Sequence, residues 1–120
     1  MTVDIYPVRW AGRQATVTLP AEIDVLNSQA VRETLEHVLA SGAVVIVADM
    51  TATAFCASEG LHTLIRVHLQ AADAGAELRL AGPSPIVRRM MELTAADQVL
   101  HVYPSLETAL GGRGTGAGDA

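Results

Sequence analysis

Apolar and polar side chains alternate with a period that changes along the chain, and each change marks an element. Residues 5–10 and 14–19 read as two strands joined by Ala11, Gly12 and Arg13; the Thr16-Val17-Thr18-Leu19 alternation suits a strand with one buried face. Pro7 has no N–H to give to a ladder, which places the first strand at a sheet edge, and Pro20 ends the second. The period then lengthens. Val31, Leu35, Val38 and Leu39 form one stripe of a helix over 25–40, with Arg32, Glu33 and Glu36 off it and Gly42 as its stop. Residues 43–48 are apolar throughout and rich in β-branched side chains, the pattern of a central strand covered on both faces. A loop over 49–57 leads into a helix over 59–74, with Leu61, Leu64, Ile65 and Leu69 expected inward. A strand follows over 77–81, with Leu78 and Leu80 on one face. Ser84 and Pro85 open a third helix, along which Ile86, Met90 and Leu93 recur at helical spacing. A strand over 99–103 and a short helix over 105–110 complete the pattern.

This order, β-β-α-β-α-β-α-β-α, predicts a single α/β domain over residues 1–110. The opening hairpin is antiparallel and the strand–helix–strand units are parallel, so the mixed sheet should have about five strands. The helices should pack mainly on one face, with the stripes of the first two buried together against the sheet. The Gly-rich residues 111–120 cannot build a core and are expected to be a mobile tail.

Composition narrows the function. Half the residues are hydrophobic, and Tyr6, Trp10, Phe55 and Tyr103 are the only aromatics, so the core should be aliphatic. The net charge is −5 and the sequence has no Lys, which argues against direct binding of duplex nucleic acid. No apolar run approaches the ~20 residues of a membrane span. Nor does the chain start with a charged segment followed by an apolar one, so no membrane association and a cytoplasmic location are expected. Cys56 stands alone and cannot form an intramolecular disulfide.

The segment 51–61, TATAFCASEGL, carries the candidate chemistry. It joins the carboxyl end of the central strand to a helix N-terminus, where open α/β sheets often bind ligands. Ser58 falls where helical N–H groups lack partners; it can cap them, or carry a phosphate that the same groups and the helix dipole favour. A catalytic role for Ser58 or Cys56 finds little support. No G-x-S-x-G elbow is present, although His62, four residues on, is within reach of Ser58. Cys56 reads as a small apolar residue beneath the loop. His37, His62, His68 and His101 have no recognised metal-ligand spacing, and no P-loop or dinucleotide fingerprint occurs, so neither metal nor cofactor is expected. Asp49 ends a strand as a receiver's phospho-accepting aspartate does, but the acidic pair and the Lys of such a site are missing.

Taken together, the segments over roughly residues 3–110 resemble the STAS family, specifically bacterial anti-sigma factor antagonists. AEID at 21–24 is similar to the family's G-E-I/L-D turn, with Ala21 in the Gly place. FCASEGL at 55–61 resembles the F-x-D-S-S-G-L switch loop, and Asp49-Met50-Thr51, AELRLAGPSP at 76–85 and VRRMMELT at 87–94 fit the family's strand end, next strand and third helix. The resemblance implies a protein-binding switch rather than an enzyme. Its partner would be an anti-sigma factor with ATP-dependent serine kinase activity. The unmodified protein sequesters that kinase and frees a sigma factor; phosphorylation, here at Ser58, releases it. The implied partner-binding residues are Glu22, Ile23, Asp24, Thr51, Ala57, Ser58, Glu59, Gly60 and His62. Ala57 stands where Asp is usual and Glu59 where the second Ser is usual, which leaves a binding module without phosphorylation as the alternative. A weak homodimer stays open.

Overall fold

Val8–Ala11 (β1) and Gln14–Thr18 (β2) form the expected antiparallel hairpin, in a computed structural model that describes residues 6–111. Pro7 lies just outside β1, and its carbonyl accepts a hydrogen bond from Thr18 N at 2.9 Å. The other elements are Glu22–Ile23 (β3), Ser28–Ala40 (α1), Val45–Asp49 (β4), Phe55–Cys56 (β5) and Ser58–Asp73 (α2). Glu77–Ala81 (β6), Pro85–Leu93 (α3), a 3-10 turn at Ala96–Gln98, His101–Tyr103 (β7) and Leu106–Gly111 (α4) follow. Five strands make one mixed sheet in the order β1-β2-β4-β6-β7, with β1 at an edge and every pair after the hairpin parallel.

The sheet has two unequal sides. Ala15, Val17, Ile46, Ala48, Leu78 and Leu80 belong to the main core, with Val31, Leu35 and Val38 of α1, Leu61, Leu64 and Val67 of α2, and Val87 and Met91 of α3. Val47, Ala81 and Tyr103 form a smaller cluster with Ala109 of α4. Three helices therefore cover one face and the short α4 part of the other. The apolar strand β4 is covered on both, as its unbroken hydrophobicity requires. Arg79 of β6 pins α4: its guanidinium donates to Ala109 O at 2.9 Å and to Glu77 Oε1 at 3.0 Å, and its Cζ sits 5.6 Å from the centre of the Tyr103 ring.

Several expectations shift. On α2 the buried stripe runs Leu61, Leu64, Val67, Ala71; Ile65 is half-buried and Leu69 is 56 % exposed, because that pair lies on the flank of the stripe. On α3 the residues inside are Val87 and Met91, while Ile86 and Leu93 face water. The two sets are one position apart, about 100° of rotation, so spacing alone did not choose between them. The first helix starts at Ser28 and not at 25, and the last strand is confined to three residues after the 3-10 turn. Residue 5 of the first expected strand lies outside the described residues. So do residues 112–120 of the expected tail, whereas Gly111 ends α4.

Candidate functional site

Two short parallel strands absent from the sequence-based expectation build the site. In β3–β5, Glu22 lies beside Phe55 and Ile23 beside Cys56. Further hydrogen bonds zip the two segments together. Thr53 Oγ1 donates to Pro20 O at 2.8 Å, Ala54 N to Ala21 O at 2.7 Å, and Ala57 N to Ile23 O at 2.8 Å. The turn at 21–24 and the loop at 51–58 thus form one rigid unit, although about thirty positions separate them in sequence. Polarity alternates across the ladder. Glu22 and Phe55 point outward, and Ile23 and Cys56 are fully buried.

Ser58 is exposed in the first turn of α2. It is not the N-cap that the sequence suggested. Ala57 holds that position with extended backbone and no capping side chain, and the hydroxyl of Ser58 has no hydrogen bond to protein among the described residues. The helix ladder begins with Leu61 N donating to Ala57 O at 3.1 Å, so the N–H groups of Ser58, Glu59 and Gly60 have no acceptor within the helix. Glu59, also exposed, places a carboxylate in the same turn, where the dipole favours it. Gly60 is buried against the ladder: a Cβ on it would lie 2.6 Å from Ile23 Cγ2 and 2.8 Å from Cys56 Sγ.

The other expected residues divide into surface and support. Glu22, Glu59 and His62 are exposed, and Asp24 and Ala57 are half-buried. Ile23 and Gly60 offer no side chain to a partner; they hold the face from beneath. Thr51 is exposed but belongs to the turn after β4. Its N–H and Oγ1 both donate to Asp49 Oδ1, at 2.9 and 2.7 Å, and its Cγ2 sits 2.6 Å from where a Cβ on Gly82 would be. Asp49 thus fastens a turn. Sequence reasoning missed Val25, Leu26 and Phe55, which are 71, 89 and 43 % exposed on the same unit. The signal was there in Asp24 and Asn27, both turn formers, just after the β3 segment.

Burial pushes the Cys56 thiol up to about 12, so it stays protonated and is a poor nucleophile. His68 packs edge-on to His101 with ring centres 5.3 Å apart. Among the described residues no three His, Cys, Asp or Glu side chains are grouped to hold a metal, and no helix is long and apolar enough to cross a membrane.

The fold recurs in solved structures. An anti-sigma factor antagonist from Mycobacterium paratuberculosis is 25 % identical, with a TM-score of 0.80 over 89 % of this chain and 91 % of its own. An anti-sigma-factor antagonist (STAS) domain protein from Planctomyces limnophilus is 17 % identical, with a TM-score of 0.74 over 88 % and 93 %. The Bacillus cell fate determinant SpoIIAA, solved in its phosphorylated form, is 16 % identical, with a TM-score of 0.67 over 89 % and 97 %. The STAS domain family model matches residues 8–109, from the first residue of β1 into α4, and the chain belongs to that family.

Proposed function

We propose that this protein is an anti-sigma factor antagonist, a binding switch with no catalytic role of its own. In its unmodified form it binds an anti-sigma factor that is an ATP-dependent serine kinase, and phosphorylation of Ser58 ends the complex. The observation that carries this reading is the state of Ser58: exposed, its hydroxyl without a hydrogen bond to protein among the described residues, and set on the first turn of a sixteen-residue helix. A kinase can reach such a hydroxyl without unfolding anything. The resulting phosphate meets the unpaired N–H groups of α2 and the positive end of its dipole, so the domain tolerates it. It adds about −1.5 to −2 charge on a face that already carries Glu22, Asp24 and Glu59, so its effect falls on the partner. The resemblance to anti-sigma factor antagonists, one of them 25 % identical, supports the same partner class.

One observation favours a second reading. The exposed carboxylate of Glu59 adjoins Ser58, and a standing negative charge there suits a module that binds its partner without ever being phosphorylated. Phosphosite mapping separates the two. The protein and its Ser58→Ala variant are incubated with ATP and each purified anti-sigma kinase of the source organism. The switch reading expects one phosphate, on Ser58, absent from the variant. A wild-type protein that binds a kinase tightly yet stays unmodified leaves the module alone standing.

A further inference from the structure

Leu26 is the most exposed large apolar side chain in the described structure, at 89 %, and Val25 beside it is 71 % exposed. Single apolar residues at a surface are ordinary. These two are held out by a built loop. Asp24 Oδ1 accepts from Leu26 N at 2.9 Å, Asn27 Oδ1 accepts from Asp24 N at 2.9 Å, Asn27 Nδ2 donates to Glu22 O at 2.8 Å, and Ser28 N donates to Asp24 O at 2.9 Å. That network delays α1 until Ser28 and turns Val25 and Leu26 toward water. It is continuous with the Ser58 loop: Phe55, 43 % exposed, lies beside Glu22 on the ladder, and Val25 lines the same groove between α1 and α2 as Glu59, His62, Arg32 and Arg66.

We propose that Val25, Leu26 and Phe55 are the apolar anchors with which this face grips its partner; the inference rests on the proposed function above. The occupant is the anti-sigma factor, and its contact surface is an apolar cleft with a rim of both charge signs, basic where it meets the 22–24 turn. Glu22 and Asp24 flank the anchors on the turn and call for basic groups opposite them, while Arg32 and Arg66 along the groove call for acidic ones. The net charge of −5 opposes the approach of two copies of the chain. A loop already fixed by hydrogen bonds loses little freedom on binding, which is the condition under which a few apolar side chains dominate an interface.

The test titrates each purified ATP-binding anti-sigma factor encoded in the same genome against wild type, Leu26→Ala and Phe55→Ala. Leu69→Ala serves as a control, being an exposed leucine far along α2. Ser58→Asp is run in parallel, and melting temperatures are taken for all. The partner that binds wild type should lose about tenfold or more affinity with Leu26→Ala and change by less than about twofold with Leu69→Ala. Its association rate should fall as salt is raised. If Leu26→Ala binds like wild type while Ser58→Asp binds weakly, the anchors are refuted and the proposed function stands. If no anti-sigma factor binds wild type, both fall. A wild-type dimer in sedimentation that Leu26→Ala abolishes also refutes the inference, because the occupant is then a second copy.

Discussion

Gly60 and Ser58 are two residues apart and do opposite jobs. At Gly60 any side chain collides with Ile23 and Cys56, both fully buried and unable to swing into solvent. Gly60→Ala should therefore cost about 1–3 kcal/mol and lower the urea midpoint. Ser58 caps nothing, so Ser58→Ala should leave stability within ~0.5 kcal/mol of wild type, the range of an ordinary surface substitution. Urea unfolding of both variants checks the pair. A stable Gly60→Ala would mean that the β3–β5 ladder does not press on α2 as described. An unstable Ser58→Ala would mean that the hydroxyl is structural, and its value as a free phospho-acceptor would drop.

At the scale of elements, α2 is tied to the far edge of the sheet through titratable groups. His68 of α2 meets His101 of β7, whose Nδ1 lies 3.1 Å from Glu77 Oε2 on β6. Burial, then the neighbouring His101, holds the His68 imidazole below its ordinary 6.5, and Glu77 offsets this in part. Burial pushes the Glu77 carboxyl up, but hydrogen bonds and charge from Arg79 and His101 outweigh it and hold the group below 4.5. Both shifts have the same sign: the folded protein binds fewer protons than the unfolded chain. Stability should thus be flat from about pH 6.5 to the unfolded Cys56 value of 9.0, fall above it because the buried thiol ionises only at about 12, fall as pH drops below the unfolded value of His68, and fall further below about 4.5. Melting curves of wild type and His68→Gln across this range test it; the variant should lose the upper part of the decline. An identical profile for the two would remove His68 from the explanation.

The same scale shows what the sequence could reveal. Long periodic segments were legible: the edge hairpin, the twice-covered β4 and the α1 stripe follow from Pro7, from the unbroken run at 43–48 and from the spacing of Val31, Leu35 and Val38. Position within a helix was less so, since Ile86, Met90 and Leu93 satisfy the same period as the Val87–Met91 pair that went inside. Strands β3 and β5 were hidden because two residues are too few for alternation to register, and their pairing links segments about thirty positions apart. The resemblance located Ser58. Its release from capping follows from Ala57 taking the N-cap position, and the outward turn of Val25 and Leu26 from bonds between the Asp24 and Asn27 side chains and backbone, a turn that those two residue types signal without fixing its geometry.

The whole molecule acts as a rigid mount for the face that carries Ser58. Three helices on one side of the sheet and α4 on the other fix β4, β4 leads into the loop zipped to the 21–24 turn, and the loop sets Ser58 at the head of α2. Charge added there has no core to disturb, so the switch should act on association and leave folding intact. The measurement that bears on this most directly is the affinity of an anti-sigma kinase for the unmodified protein and for the same protein phosphorylated on Ser58, with the melting temperature of each form. The phosphorylated form should bind at least about tenfold more weakly, a difference of about 1.4 kcal/mol, and melt at nearly the same temperature. Equal affinity of the two forms, or a phosphorylated form that unfolds, would contradict a switch that works at the surface of Ser58.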